Sequence, residues 1–324
     1  VAQSRTEATT SLTGQQTESR RGVGDGLIVA ALTVAILGFL TSGWIVADRL
    51  VAQVDPFVVA EGRLFSSFVT LSLAAVLGKQ TRSVVHAVVQ RPRALVLLAL
   101  SGFVVYFGAT IFGLGQIGLT PANLIVSSLP CVTFVLGIAF FGEQVRARKV
   151  VGTGLAVLAT GGYILSATGS GPHVSARAWA MGVTATLAGT IAYALYSLFY
   201  KKWMADLPSI AALPGITALA TVCLLPLALM SGRIGSVTLA QWGEIALLGG
   251  VLTAPIFFLA HELIQRRSAL FSATAGLSLP FLVRIANWLL GAAPAPDLAT
   301  VLCLLACAAG TWLTISAPTS PKGK

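Results

Sequence analysis

Charge is what this chain of 324 residues has least of: Asp, Glu, Lys and Arg together make up 10% of it. An ordinary globular domain carries about 25%. With 11 acidic side chains, 3 histidines and 4 cysteines, there is little material for a polar skin, a metal cluster or an acid–base site. That excludes a soluble enzyme, because a folded chain of this length keeps much of its surface in water. The cysteines have no metal-binding or redox spacing. Cys131 and Cys223 stand alone, and Cys303 and Cys307 lie one helical turn apart, a poor geometry for a disulfide. No His-Glu-x-x-His, no Gly-rich loop leading to Lys-Ser/Thr and no basic stripe with interleaved aromatics occurs. A metalloprotease, an ATPase and a nucleic-acid binder fall away with them, and no cofactor or metal is expected.

What is present in quantity is apolar: 56% of the residues. They gather into ten runs near 27–48, 57–78, 94–114, 119–141, 149–167, 179–199, 209–230, 243–263, 268–290 and 298–317. About 20 apolar residues cross a bilayer core as a helix, and lipid leaves backbone groups no other partner. The expected fold is therefore an all-α polytopic membrane protein of ten transmembrane helices. Residues 1–25, rich in Ser, Thr, Gln and Arg, read as a disordered cytoplasmic tail without the layout of a signal peptide. Residues 318–324 read as a second tail. With a cytoplasmic N-terminus, 16 Lys and Arg fall on the inner side and 4 on the outer, leaving Arg284 inside a span. That bias places both termini in the cytoplasm and accounts for the net charge of +10.

The chain also repeats itself. Ser128-Leu129-Pro130 returns as Ser278-Leu279-Pro280, and Phe107 as Phe257, each 150 residues on. Five spans per half force the second half to enter the membrane inverted. Residues 26–167 and 179–317 are thus read as two inverted repeats joined by 168–178, a plan common among alternating-access transporters.

Ordered motifs run through this frame: Phe39 with Thr41-Ser42, then Pro56 seven residues before Arg63. Next come Pro130 in mid-helix, Gly142-Glu143 at its end, and Tyr193-Ala194-Leu195-Tyr196 running to Lys201-Lys202. In these features the sequence resembles the drug/metabolite transporter superfamily, in particular its EamA-type members. The resemblance implies a transporter of small metabolites, often an exporter of amino acids or related amphipathic compounds. It implies a multi-pass protein of a cell membrane, of the bacterial inner-membrane kind.

Candidate site residues follow from polarity at membrane depth. A proline within a helix frees the carbonyl four residues back, here those of Val126 (from Pro130) and Gly276 (from Pro280). Either the paired breaks line a midplane cavity or they are kinks used for packing. Arg284 shares a helical face with Pro280 and Asn287. It is read as a guanidinium for a substrate carboxylate, as a snorkelling residue, or as a partner of Glu61. Glu61 and Arg63 are read as a coupling or gating pair near the outer end of the second span, and Glu262 as a local partner of Arg266 or a relay beside His261. No Asp is expected inside a span. Thr41, Ser42, Tyr106, Thr110, Asn123, Ser127, Tyr193, Tyr196 and Ser278 complete the candidate substrate site, with helix–helix glue as the competing role for each hydroxyl. Trp44 reads as an interfacial anchor or packing residue.

The expected function is a secondary transporter working by alternating access, with a small-molecule substrate and the lipid bilayer as partners, as monomer or homodimer. A membrane-embedded enzyme would need clustered acids, histidines or nucleophiles, and a channel a filter of charges or carbonyls. Neither pattern is visible; a membrane-embedded enzyme or a non-transporting membrane scaffold is the alternative reading.

Overall fold

The computed structural model describes residues 2–142, 146–167, 175–267, 269–292 and 294–315. All the regular structure among them is helical. In chain order the elements are α1 (Ala2–Val51), α2 (Pro56–Leu77), α3 (Thr81–Gln90), α4 (Pro92–Ile117), α5 (Leu119–Ser127), α6 (Leu129–Phe141) and α7 (Ala147–Ala167). Then follow α8 (Ala176–Trp203), α9 (Ser209–Met230), α10 (Leu239–Arg266), α11 (Ala269–Ala275), α12 (Leu279–Leu289) and α13 (Leu298–Ile315). Among the described residues, seven stretches are long and apolar enough to cross a membrane: Gly26–Val51, Pro56–Leu77, Pro92–Ile117, Pro121–Phe140, Ala176–Trp203, Ser209–Met230 and Leu239–Arg266. Helix also occupies the other three apolar runs, as α7, the α11–α12 pair and α13.

Two expectations need correction. The helix α1 begins at Ala2, so the polar segment expected to be disordered is helical. No proline precedes Pro56, and Ala, Glu, Gln and Arg are good helix formers. The same helix runs to Val51, which puts Asp48, half-buried, inside a membrane-spanning stretch where no Asp was expected.

The boundaries have local causes. The Asp55 side chain caps α2 by accepting from the Phe57 amide at 2.9 Å, and Pro56 sits where a missing N–H does no harm. Thr238 and Gln241 form a reciprocal capping box at the start of α10. Gly142 closes α6 in the left-handed conformation, at φ 61°. Ser128 separates α5 from α6, and a 3-10 turn, Gly276–Ser278, separates α11 from α12. These are the two breaks expected from Pro130 and Pro280, each the second residue of its helix. Each long helix α4 and α10 also contains a π-helical stretch, Leu100–Val105 and Leu247–Thr253. Such stretches are rare and tend to mark functional regions.

Packing follows one pattern. The helix α4 lies along α8, and α10 along α1; α2 pairs with α9, and α7 with α13; the broken α5–α6 contacts α8, and α12 contacts α1. The main core runs through α1, α2, α4, α8, α9 and α10 and contains Phe103, Phe107, Tyr196, Tyr200 and Phe257. A smaller cluster of Ala156, Ala159, Leu277, Phe281 and Cys307 joins α7, α12 and α13. The outer surface carries fully apolar side chains, such as Val34, Leu77, Leu158, Met230 and Leu305, as a lipid-facing surface does.

Candidate functional site

A cavity of about 80 Å³ lies where α1, α2, α4, α5, α8, α10 and α11 converge with the first residues of α6 and α12. That is well above the space one water needs. Its wall is mostly apolar and aromatic, with Trp44, Phe107, Ile111, Ile256, Phe257 and Leu279 among the lining residues. The polar groups on it are Arg63, Tyr106, Thr110, Tyr193, Ser197, Thr253 and Ser272. Val126 and Gly276 line it as well. These are the residues whose carbonyls Pro130 and Pro280 free, so both helix breaks reach the cavity.

Arg63 is the cation of the wall. Its Nε donates to the Thr253 hydroxyl at 2.7 Å, and its guanidinium lies 4.7 Å from the centre of the Phe107 ring. Cation–π attraction and a charge-assisted hydrogen bond thus fix one side of the group. The backbone beneath it is fixed too. The Ser67 hydroxyl lies 2.8 Å from the carbonyl oxygens of both Arg63 and Gly249. A Cβ at Gly249 would sit 2.2 Å from the Arg63 carbonyl oxygen, so only glycine allows α10 this close.

Tyr106 and Tyr193 face each other with ring centres 4.5 Å apart. Thr110 and Ser197 donate to the carbonyls one turn back, Tyr106 at 2.6 Å and Tyr193 at 3.0 Å. Phe107 and Phe257, the pair 150 residues apart, meet edge to face at 5.5 Å.

Beside the cavity lies a fully buried polar cluster. His261 donates from Nδ1 to the Phe257 carbonyl, which can only accept, so Nε2 is the acceptor for the Tyr196 hydroxyl. The Tyr200 and Phe103 rings close around the pair, and a Cβ at Gly102 would meet the Tyr196 ring at 2.3 Å. Beyond it, Ser209 bonds Glu262 at 2.8 Å and Gln265 at 3.0 Å, and Lys201 donates to the carbonyls of Ile264 and Gln265, each at 2.8 Å. Glu262 also takes the expected bond from Arg266, at 2.8 Å. Nearby, Arg91 holds Asp206 at 2.7 Å and donates to the Trp203 carbonyl. That guanidinium pulls the Asp206 carboxyl below its ordinary value of 3.8.

The expected site is therefore redistributed. Tyr106, Thr110 and Tyr193 stand on the cavity wall. Arg63, read as half of an outer gate, is its cation, and Trp44, read as an anchor or packing residue, lines it. Arg284 is off the wall and half-buried. Its charge bears only weakly on Asp297, whose carboxyl is held low chiefly by the Thr300 side chain and amide. Its helix starts only at Leu279, so Arg284 and Asn287 lie past the break, away from the cavity. Glu61 is buried, with no hydrogen bond or ion pair among the described residues. Tyr196 belongs to the His261 cluster. Asn123 is buried with both amide atoms unpaired among the described residues, and Ser127 bonds the Asn123 carbonyl at 2.8 Å and lies 3.5 Å from that of Gly276. Pro130 and Pro280 are buried at the breaks, and Ser278 is half-buried in the 3-10 turn. Thr41 bonds back to Leu37 at 2.7 Å and Ser42 is exposed, so neither reaches the wall. Glu143 of the Gly-Glu pair lies outside the described residues.

The fold defines a multi-span helical membrane protein. Residues 25–165 match the model of the EamA-like transporter family, part of the drug/metabolite transporter superfamily. The resemblance seen in the motifs is thereby shown for the first half of the chain. No curated protein matches the sequence. A solved structure titled "Crystal structure of protein" superposes with a TM-score of 0.70 at 17% identity, over 88% of this chain and 96% of that chain. At that identity the likeness speaks for the fold alone.

Proposed function

We propose that the protein is a secondary transporter, of the exporter kind, carrying small amphipathic metabolites across the membrane by alternating access. The observation that carries this reading is a cavity reached by two broken helices from opposite halves of the chain. Ten spans in two inverted five-helix repeats account for the packing. Exchanging the halves turns the α4–α8 contact into α10–α1, and the contact of α5–α6 with α8 into that of α12 with α1. The α2–α9 and α7–α13 pairs map onto themselves. Both π-helical stretches and both breaks obey the same exchange. Two related bundles around one cavity can rock against each other and open it to either side in turn.

In this reading Tyr106, Thr110, Tyr193 and Arg63 contact substrate. Asn123, Ser127 and the residues at the two breaks shape the cavity, and Glu61 is a gating group at the end of α2. The test is flux into proteoliposomes of purified protein, with Pro130→Ala and Pro280→Ala as variants. Each supplies an N–H that can bond the carbonyl four residues back and close the break, so folding should hold while the transport rate falls. Wild-type rates in both variants would reduce the breaks to packing features. A covalent product instead of flux would favour the embedded-enzyme reading.

A further inference from the structure

The cavity wall is chemically one-sided. We propose that the substrate it reads is an organic anion: a carboxylate joined to a flat apolar body, with no cationic group of its own. This rests on the transporter reading and names what is carried.

Arg63 spends only Nε on the protein, in the bond to Thr253 at 2.7 Å. Neither terminal amino group of the guanidinium has a hydrogen-bond partner among the described residues. The rest of the donor fork is therefore free, in the planar geometry that takes a carboxylate by two parallel bonds. The fork is also pre-set. The Phe107 ring sits against it, and Ser67 and Gly249 hold its backbone, so little ordering cost falls on binding. The hydroxyls of Tyr106 and Tyr193, also on the wall, have no protein partner among the described residues and can donate to the same anion.

Against a cation, no Asp or Glu among the described residues lines the cavity. An ammonium would meet ring faces, hydroxyl oxygens and the backbone carbonyls at the two breaks. The Gly276 carbonyl already has Ser127 within 3.5 Å. Partial charges of that kind do not balance repulsion by Arg63 in a water-poor space. An anion should therefore bind best, a zwitterion with the same body less well, and a cation least. The aromatic residues Trp44, Phe107 and Phe257 offer ring faces and edges to a flat apolar body.

Three probes separate these cases: hydrocinnamate, phenylalanine and phenethylamine share a ring and a two-carbon chain and differ in charge. Binding is read by thermal shift on the purified protein, and flux in proteoliposomes. Hydrocinnamate should bind and be carried, phenylalanine should bind more weakly, and phenethylamine should do neither. Arg63→Gln should weaken hydrocinnamate roughly tenfold to a hundredfold, the range for a hydrogen bond to a charged group. Arg63→Lys should recover part of that. Thr253→Val removes the tether and keeps the charge, so it should give a smaller drop and serves as a second variant if Arg63→Gln fails to fold. Phenethylamine binding as tightly as hydrocinnamate, phenylalanine binding as tightly as hydrocinnamate, or an order of affinity unmoved by Arg63→Gln overturns the assignment; so does the absence of binding by all three. If hydrocinnamate binds through Arg63 but no probe crosses the membrane, the anion site stands and the transporter reading falls. If phenethylamine is carried and hydrocinnamate is not, the transporter reading stands and the anion site falls.

Discussion

In the first half of the chain Phe107 follows a π-helical stretch and lines the cavity; in the second half Phe257 does the same, and the two rings touch. One helical turn further on, the halves part company. The first half has Ile111, an apolar wall residue, where the second has His261, buried and bonded to Tyr196. The contrast runs the other way at Arg63. That position holds the cavity's cation in the first half, and its counterpart 150 residues on is Leu213, buried in the core. Backbone features thus recur in both halves, while each polar device is present once. In the proposed transporter, a rocking motion would need the recurrence, and the reading of a substrate would need the difference.

The comparison is sharpest where glycine sets the approach of two helices. A methyl at Gly249 would press on the Arg63 backbone, at 2.2 Å, whereas one at Gly102 would press on the Tyr196 ring, at 2.3 Å. Neither neighbour yields readily, because the contact at Gly102 is with Cγ and Cδ2 of a buried ring held by His261 and Phe103. Gly249→Ala and Gly102→Ala should each cost about 3 kcal/mol, the upper part of the overpacking range. Thermal unfolding in detergent measures both, and a negligible loss in either would mean that its two helices can part there without cost. Next in size is the buried His261–Tyr196 pair. His261→Leu strands the Tyr196 hydroxyl and should cost about 1–3 kcal/mol, and adding Tyr196→Phe should recover part of it. No recovery in the double variant would show that packing, rather than the hydrogen bond, carries the cluster.

Smaller effects lie outside the paired positions. Asp206→Asn breaks an exposed ion pair and should cost less than about 1 kcal/mol. The Asp206 carboxyl is depressed in the fold, so its contribution is present above its ordinary value of 3.8 and is lost as pH falls below that. A melting temperature that drops equally with acid in wild type and Asp206→Asn would deny the pair any role. The smallest change is expected at Asn123. Asn123→Leu replaces a buried amide without partners by an apolar group of similar size, so stability should hold or rise. A clear loss would reveal a partner for that amide, such as a bound water.

Most of the scaffold is legible in the sequence because membrane spans are written locally. Runs of apolar residues, Pro56 after Asp55, and Pro130 and Pro280 within runs mark helices, one start and two breaks, and the carbonyls freed by the prolines point to Val126 and Gly276 on the wall. The site is less legible because its partners are distant. Arg63 meets Phe107 and Thr253, which are 44 and 190 residues away, and no local pattern ties the three. Arg284 drew attention through its depth within a run, yet depth along a span does not say which side of a break a residue occupies. His261 sits close to Arg266 and Arg267 in sequence and read as an inner-end residue. Its burial depends on Tyr196 and Tyr200 of another helix. The recurring Phe107 and Phe257 were the one local signal for the aromatic wall.

The π-helical stretches at Leu100–Val105 and Leu247–Thr253 have a consequence for the length of the chain itself. A π-turn is an α-helix carrying one residue too many, so the flanking segments already keep the phase of an ordinary helix. Removing a residue inside either stretch should leave the faces before and after it aligned. Removing one elsewhere in the same helix turns everything beyond it by about 100°, one residue's share of a 3.6-residue turn. Single-residue deletions along Pro92–Ile117 and Leu239–Arg266 should thus be tolerated in two short windows and nowhere between the window and the helix end. In the language of descent, a surplus residue at matching places is what duplication of one ancestral half would hand to both copies.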